Sequence, residues 1–527
     1  MLSGRAPARP DSSPKKTAMP LHGTSLINGV FIAPGTRPFG AASPLGPEAL
    51  TPTFHEATEA DVHRALGAAE AARTALEAAG SQGRAALLEG IATELEDLGA
   101  SLLERARLET GLPLERLTAE RNRTTGQLRL LAALLREERW RDLRVEQPLP
   151  ERQPLPRPGL RRTLVPVGPV AVFGASNFPL AYSVAGGDTA SAFAAGCPVV
   201  VKGHPAHPGT SELTGSAVLR ALQKEGLPPG AFALLQGRSH GLGEALVRHP
   251  LVCAVGFTGS LRGGRALFDT ANSRPAPIPV FAEMGSLNPV FLLPGALRSN
   301  AAQIAAGLVQ SVTQGGGQFC TKPGVLFGIE GPEFDAFQSL LEESLRASLP
   351  STLLHTEILR AYEGGAARAA SLPGVRILAE SRAPGEAALT QGRPLLLGTD
   401  AAGYRAEHLL REENFGPSTL LVSVPDMDGL LEIAAGLEGQ LTATVHGTEA
   451  EAGAVGALFS VLEQKAGRLI YNGYPTGVEV CASMQHGGPY PASTDSRFTA
   501  VGTAAIQRWL RPVCYQDFGT GPNGRHP

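Results

Sequence analysis

The segment 313–324, TQGGGQFCTKPG, sets Cys320 behind three consecutive glycines and ahead of Pro323. A thiol becomes a nucleophile when ionised, and exposed backbone amides or a helix start favour the thiolate. Adjacent glycines permit unusual dihedrals and close approach of backbone to a ligand. The segment alone also admits a small buried hydrophobe, the commoner fate of cysteine. Glu283 closes the apolar run PIPVFAEMG, so a carboxylate leaves a strand where ligands collect in an α/β sheet, placed either to move a proton or to be a plain surface acid at a strand end. Asn177, in FGASNFPLAYS, follows another such run; its amide is placed to donate to a developing oxyanion or to make a plain turn.

Lys202 ends PVVVKG and is placed either to reach a ribose or phosphate or to be solvated. GFTGSLRGG, with Gly259, Ser260 and Gly264, passes from strand into helix and would let a phosphate approach the helix start, although it lacks the GxGxxG spacing. Cys197 and Cys253 sit in apolar runs and read as core, and Cys481 and Cys514 have no activating neighbourhood. The absence of CxxC and of Cys/His ligand spacing argues against a metal and against a disulfide framework.

The elements that must position these groups follow from periodicity. Residues 58–142 are helical, opening on Thr58 and Asp61 as an approximate capping box, pausing at Gly80 and restarting with Ser81 as a cap. A third helix begins near Leu114. After a proline-rich stretch at 148–158, the runs VAVFG, PVVVKG, LVCAVGFTG and IPVFAEMG alternate with helices at 209–225 and 241–249, which implies a parallel, doubly wound α/β sheet. A second alternating unit spans about 286–478. The chain has 527 residues, 43% hydrophobic and 18% charged, with a formal net charge of −3, so two or three domains are expected and nucleic acid is not an expected partner. The basic, proline-rich first twenty residues read as a loose tail, no membrane span is expected, and few scattered thiols fit a cytoplasmic protein.

Together, and in this order, ASNFPL, PVVVKGHPAHPGTSEL, GFTGS, FAEMGSLNP, GGGQFCTKPG and EENFGP resemble the aldehyde dehydrogenase superfamily, from INGVF near residue 27 to RPVCYQDF near 518. The resemblance implies a Rossmann-type cofactor domain, an α/β catalytic domain and an oligomerisation arm. The expected division is a tail at 1–19, the cofactor domain at 20–147 and 167–285, a bridge at 148–166, the catalytic domain at 286–478 and the arm at 479–527. Carried over by position, Cys320 is the nucleophile, Glu283 the general base, and Asn177 with the Cys320 amide the oxyanion hole. Lys202 and Glu413 would hold ribose hydroxyls, Ser260 the pyrophosphate, and Phe415 the nicotinamide ribose. The glycines before Cys320 would make room for nicotinamide and substrate.

The implied reaction is NAD(P)-dependent oxidation of an aldehyde to a carboxylic acid, with the acyl group released to water because Glu283 is present. Pro205 stands where many NAD-preferring relatives carry an acid, and His204, His207, Arg238 and His240 lie near in sequence, so NADP is expected with NAD tolerated. Ser176 replaces a tryptophan common in relatives. NGYPTGVEV, MQHGGPYPASTDSRFT and GTAAIQRWLRPVCYQDF resemble the 2,5-dioxopentanoate (α-ketoglutarate semialdehyde) dehydrogenases. The same branch is similar to NADP-linked long-chain aldehyde dehydrogenases. Arg123 and Arg129, on the third helix, are either partners for a substrate carboxylate or part of a solvated helix face, with Phe178 a third substrate candidate. A homodimer or homotetramer is implied. A non-catalytic descendant of the fold is the remote alternative, disfavoured because nucleophile and base both survive.

Overall fold

The computed structural model describes residues 20–386 and 389–518; the expected tail at 1–19 and residues 519–527 lie outside the described residues. Two seven-stranded sheets organise the chain. In spatial order the first runs Val280–Glu283, Ala254–Thr258, Val170–Phe173, Val199–Lys202, Phe232–Leu235, Leu26–Ile27 and Val30–Phe31. Its first five strands are parallel and the last two antiparallel. These parallel strands are continuous apolar runs because helices cover both faces. Cores formed around Phe193 and Phe232 on one side and around Leu66 and Leu246 on the other bury them.

After the early strands at 26–27 and 30–31, the parallel part of this sheet begins at Val170–Phe173, steps outward to 199–202 and 232–235, then returns to the opposite side of 170–173 at 254–258. That reversal opens a crevice beyond the carboxyl ends of two adjacent strands, the usual ligand position in such folds. The residues leaving those ends are Gly174–Asn177 and Gly259–Ser260.

The second sheet runs Arg376–Glu380, Leu395–Asp400, Ser418–Val424, Val325–Ile329, Val290–Leu292, Gln440–His446 and Ala466–Tyr471, all parallel but for the antiparallel edge at 376–380. A third, antiparallel sheet pairs Leu160–Pro166 with both Arg144–Glu146 and Leu510–Gln516. Before reaching it, the chain docks on the first unit: Arg508 forms a buried ion pair with Asp188, and Trp509 Nε1 donates to Ser191 Oγ at 2.8 Å. Among the described residues no helix is long and apolar enough to cross a membrane.

The helical reading of 58–142 holds with two corrections. Thr58 and Asp61 form the reciprocal capping box of helix Glu59–Ala78. Ser81 caps nothing: it is buried inside helix Gly80–Asp97 with its hydroxyl unpartnered, because Gly80 turns the chain at φ +63° and the new helix starts before Ser81. The second helix is also two, broken at Gly99 (φ +53°) into Gly80–Asp97 and Gly99–Thr110. Cys197 is fully buried, as a core thiol should be, whereas Cys253 precedes its strand and is only half-buried.

Candidate active site

Cys320 lies in a loop after helix Pro294–Thr313, not at a helix start, so the expected activation by helix amides is absent. Burial, and then the Glu283 carboxylate, push its pKa well above the ordinary thiol value. The thiol is therefore protonated at neutral pH and needs a base. One is present. His486 Nε2 lies 3.5 Å from Cys320 Sγ and 3.1 Å from Glu283 Oε1. His486 was not singled out by the sequence reading, although it stands in the MQHGGP segment.

Each of the three side chains is fixed by its own backbone. Glu283 ends strand Val280–Glu283, where its carbonyl accepts from the Gly259 amide and it bridges antiparallel to Ser493. The Cys320 carbonyl accepts from Asn288 Nδ2 at 2.9 Å, and the same amide group reaches the Lys322 carbonyl at 3.0 Å. Asn288 is itself held at φ +49° by Gln440 and Thr442. His486 is tied through its amide to Thr499 Oγ1 at 2.9 Å, and its carbonyl accepts from Ala500. Both Glu283 oxygens are buried without a directed hydrogen bond among the described residues.

The three glycines do adopt positive φ, +58°, +69° and +67° at Gly315, Gly316 and Gly317. Their role differs from the expectation. A Cβ on Gly317 would sit 2.3 Å from the Gly416 backbone, so the space is filled by protein and not by cofactor or substrate. The contact locks the nucleophile loop against the ENFGP segment. Lys322 adds to the lock: its buried ammonium donates to the carbonyls of Asn414, at 3.1 Å, and Ser418, at 2.8 Å. Glu413 is half-buried beside it, and desolvation pushes the carboxylate up and the ammonium down. Glu413 and Phe415 border a cavity of about 280 Å³ together with Lys322.

Asn177 Nδ2 donates to the Gln318 carbonyl at 2.9 Å, which brings its amide beside the loop that carries Cys320 and uses one of its two amide hydrogens. Phe178 packs edge-on against Phe319 and Tyr182, at centroid distances of 5.2 and 5.3 Å. Arg123 lies over the Tyr182 ring and donates to its hydroxyl at 2.9 Å, while its Nε is buried without a partner. Arg129 does not reach the site. It forms a bidentate pair with Glu96, at 2.7 and 2.8 Å, on the exposed face of the helix pair.

Of the residues that the sequence marks for a cofactor, Lys202, Gly259, Ser260 and Gly264 lie at the carboxyl ends of the first sheet's parallel strands and in the helix that follows one of them. Lys202 closes its strand with a largely buried side chain that has no hydrogen-bond partner among the described residues, and burial lowers its pKa to about 8. Such an ammonium suits a hydroxyl or phosphate from a ligand. Ser260 caps helix Leu261–Asn272 by accepting from Gly263, and the first residues of that helix are exposed. Gly259 sits against the Phe257 ring. Gly264 corrects its expectation: a Cβ there would meet Met284 Sδ at 2.5 Å, so this glycine lets the helix lie on the sheet and does not face a phosphate. Arg238 is exposed, with its amide on Glu56 and its guanidinium 3.8 Å from Glu357.

The first sheet thus carries a strand-end crevice, and a loop-borne thiol, a carboxylate, an imidazole and an amide lie close together in the same chain. The aldehyde dehydrogenase family model matches residues 33–349, and the chain belongs to that family, whose members use NAD or NADP. It is 49% identical over 503 residues to α-ketoglutaric semialdehyde dehydrogenase 2 of Azospirillum brasilense, covering 95% of each chain. It is 44% identical over 497 residues to α-ketoglutaric semialdehyde dehydrogenase of Acinetobacter baylyi, covering 94% of each. A betaine aldehyde dehydrogenase variant of Staphylococcus aureus, solved with NAD⁺, superposes with a TM-score of 0.79 at 19% identity, over 96% of this chain and 99% of that one.

Proposed function

We propose that the chain oxidises 2,5-dioxopentanoate (α-ketoglutarate semialdehyde) to 2-oxoglutarate through an acyl thioester on Cys320. The observation that carries this reading is the convergence of Cys320, His486 and Glu283 in a buried cleft. His486 takes the thiol proton as sulfur attacks the aldehyde carbon. The thiohemiacetal oxygen is held by Asn177 and the Cys320 amide; a donor of this kind contributes roughly 10²–10³ in rate. A bound nicotinamide supplies the hydride acceptor. Loss of hydride from the carbon leaves the thioester. Glu283 then deprotonates the water that releases the acid and returns the thiol.

The substrate reading rests on the two relatives named above and on Arg123. Its side chain sits between Phe178 and Tyr182 with an unused donor, as a carboxylate at the far end of a short aldehyde requires. A second reading, an aliphatic aldehyde, draws on the apolar cluster of Phe178, Tyr182, Phe319 and Val501 around the same route. Steady-state kinetics with 2,5-dioxopentanoate, hexanal and decanal separate them. Replacing Arg123 by methionine should raise KM for the keto acid by about 100-fold, the size of a lost charge-assisted contact, and lysine should restore part of it. Hexanal should change little. A hundredfold preference of the parent enzyme for decanal would contradict the assignment.

NADP is proposed as the preferred cofactor, with NAD tolerated. Pro205 puts no acid three residues beyond Lys202. The nearby acid, Glu56, is occupied by Arg37 and by the amides of Arg238 and Ser239. Lys202, Ser260, Glu413 and Phe415 are the proposed cofactor contacts. Equal or better catalytic efficiency with NAD would contradict this preference. The expected domain boundaries are kept, and the third sheet, whose edge strand exposes Val145, is proposed to add to a second copy in a dimer or tetramer. Free cysteines throughout the described residues support a cytoplasmic setting.

A further inference from the structure

We propose that the same cleft is an inhibitory zinc site, in which Cys320 Sγ, His486 Nε2 and a Glu283 carboxylate oxygen bind one Zn²⁺ and hold the sulfur away from aldehyde. All three ligand atoms lie within 4.8 Å of one another. Tetrahedral zinc, with Zn–S of about 2.3 Å and Zn–N and Zn–O of about 2.0 Å, requires edges of about 3.5 Å for S···N and about 3.3 Å for N···O. The observed separations are 3.5 and 3.1 Å. Two of the three edges therefore match the coordination polyhedron before any metal arrives, and the third is within 4.8 Å.

Charge points the same way. Thiolate and carboxylate together carry two negative charges, which neutralise the dication, while the imidazole remains neutral; a buried site of zero net charge avoids most of the penalty for enclosing ions. Glu283 is buried, and the ionisable side chains in contact with its carboxylate are the His486 imidazole and the Cys320 thiol, with no Lys or Arg ion pair among the described residues, so a cation would meet a buried anionic ligand. Sulfur and imidazole select zinc over magnesium or calcium, which prefer shells of oxygen. Three separate segments present the ligands, and each is pinned by the backbone contacts described above, so little order has to be created on binding. The Zn–S bond replaces the S–H bond, the proton leaves to solvent, and no atom is oxidised or reduced.

Binding follows from this geometry alone; inhibition rests on Cys320 being the nucleophile. The test uses the full chain, reduced, freed of metal with a chelator and transferred to thiol-free buffer. Equilibrium dialysis with ZnCl₂ should find one equivalent whose affinity falls by about 100-fold or more in Cys320→Ser and in His486→Asn. Circular dichroism verifies that both variants are folded, and a Cys514→Ser control excludes the exposed thiol. Initial rates of the parent enzyme should fall in proportion to zinc bound and return with EDTA, while MgCl₂ leaves them unchanged. Zinc bound equally by parent, Cys320→Ser and His486→Asn would overturn the site. Zinc bound at Cys320 with undiminished rates would overturn the inhibition. If the metal-free protein oxidised no aldehyde, the functional reading would fail, and loss of zinc in the two variants would still establish the site.

Discussion

Replacing His486 by asparagine should lower kcat/KM by about 10²–10⁴-fold, the usual contribution of a positioned general base. The substitution preserves a polar side chain of similar reach and removes the imidazole proposed to accept the thiol proton. Cys320 then has to ionise unaided, in a setting where burial and Glu283 hold its pKa far above the ordinary thiol value. A raised pKa means that the thiolate fraction increases with pH over the whole accessible range. The residual activity of the variant should accordingly climb with pH, while the parent enzyme, with its imidazole 3.5 Å from the sulfur, holds a broader plateau. Iodoacetamide alkylation of Cys320, followed by peptide mass spectrometry, should slow in parallel. Alkylation as fast in the variant as in the parent would separate His486 from thiol activation.

Glu283→Gln should act on the other half of the cycle. The carboxylate is proposed to activate water for thioester hydrolysis, so its loss leaves acylation possible and deacylation slow. Single-turnover mixing with aldehyde and excess cofactor should give a burst of reduced nicotinamide close to one equivalent per site. Steady-state turnover after the burst should drop by about 10²–10⁴-fold. Glutamine also removes a negative charge beside the sulfur, which raises the thiolate fraction, so the burst itself should not be slower than in the parent. A variant lacking both burst and turnover would place Glu283 before hydride loss and contradict the division of labour between carboxylate and imidazole.

Much of this site is legible in the sequence because strands and glycines mark it. Glu283 and Lys202 end apolar runs, and parallel strands deliver their carboxyl ends to a single crevice, so position along the run is position in space. Cys320 is marked by the glycines, although their φ values serve the seam with Gly416 and not an open space. His486 is different. It lies 166 residues from Cys320, in an irregular segment with no periodicity, and tertiary hydrogen bonds to Thr499 and Ala500 decide where it goes. The pair Arg123 and Arg129 carried its own warning: six residues turn a helix by about 240°, so the two cannot share a face. The structure gives Arg123 to Tyr182 and Arg129 to Glu96. Nothing in the local sequence marks Lys322, because its burial follows from carbonyls contributed by another loop.

The covalent step through Cys320 is tested most directly by intact-protein mass spectrometry of the Glu283→Gln variant, quenched in acid after mixing with 2,5-dioxopentanoate and NADP. A mass increase equal to one acyl group, mapped by digestion to the peptide that contains Cys320 and cleared by hydroxylamine, is the predicted result. Reduced cofactor formed in that burst with no acyl group on the peptide would mean that the aldehyde is oxidised without ever joining the sulfur, and the account would be wrong at its first step.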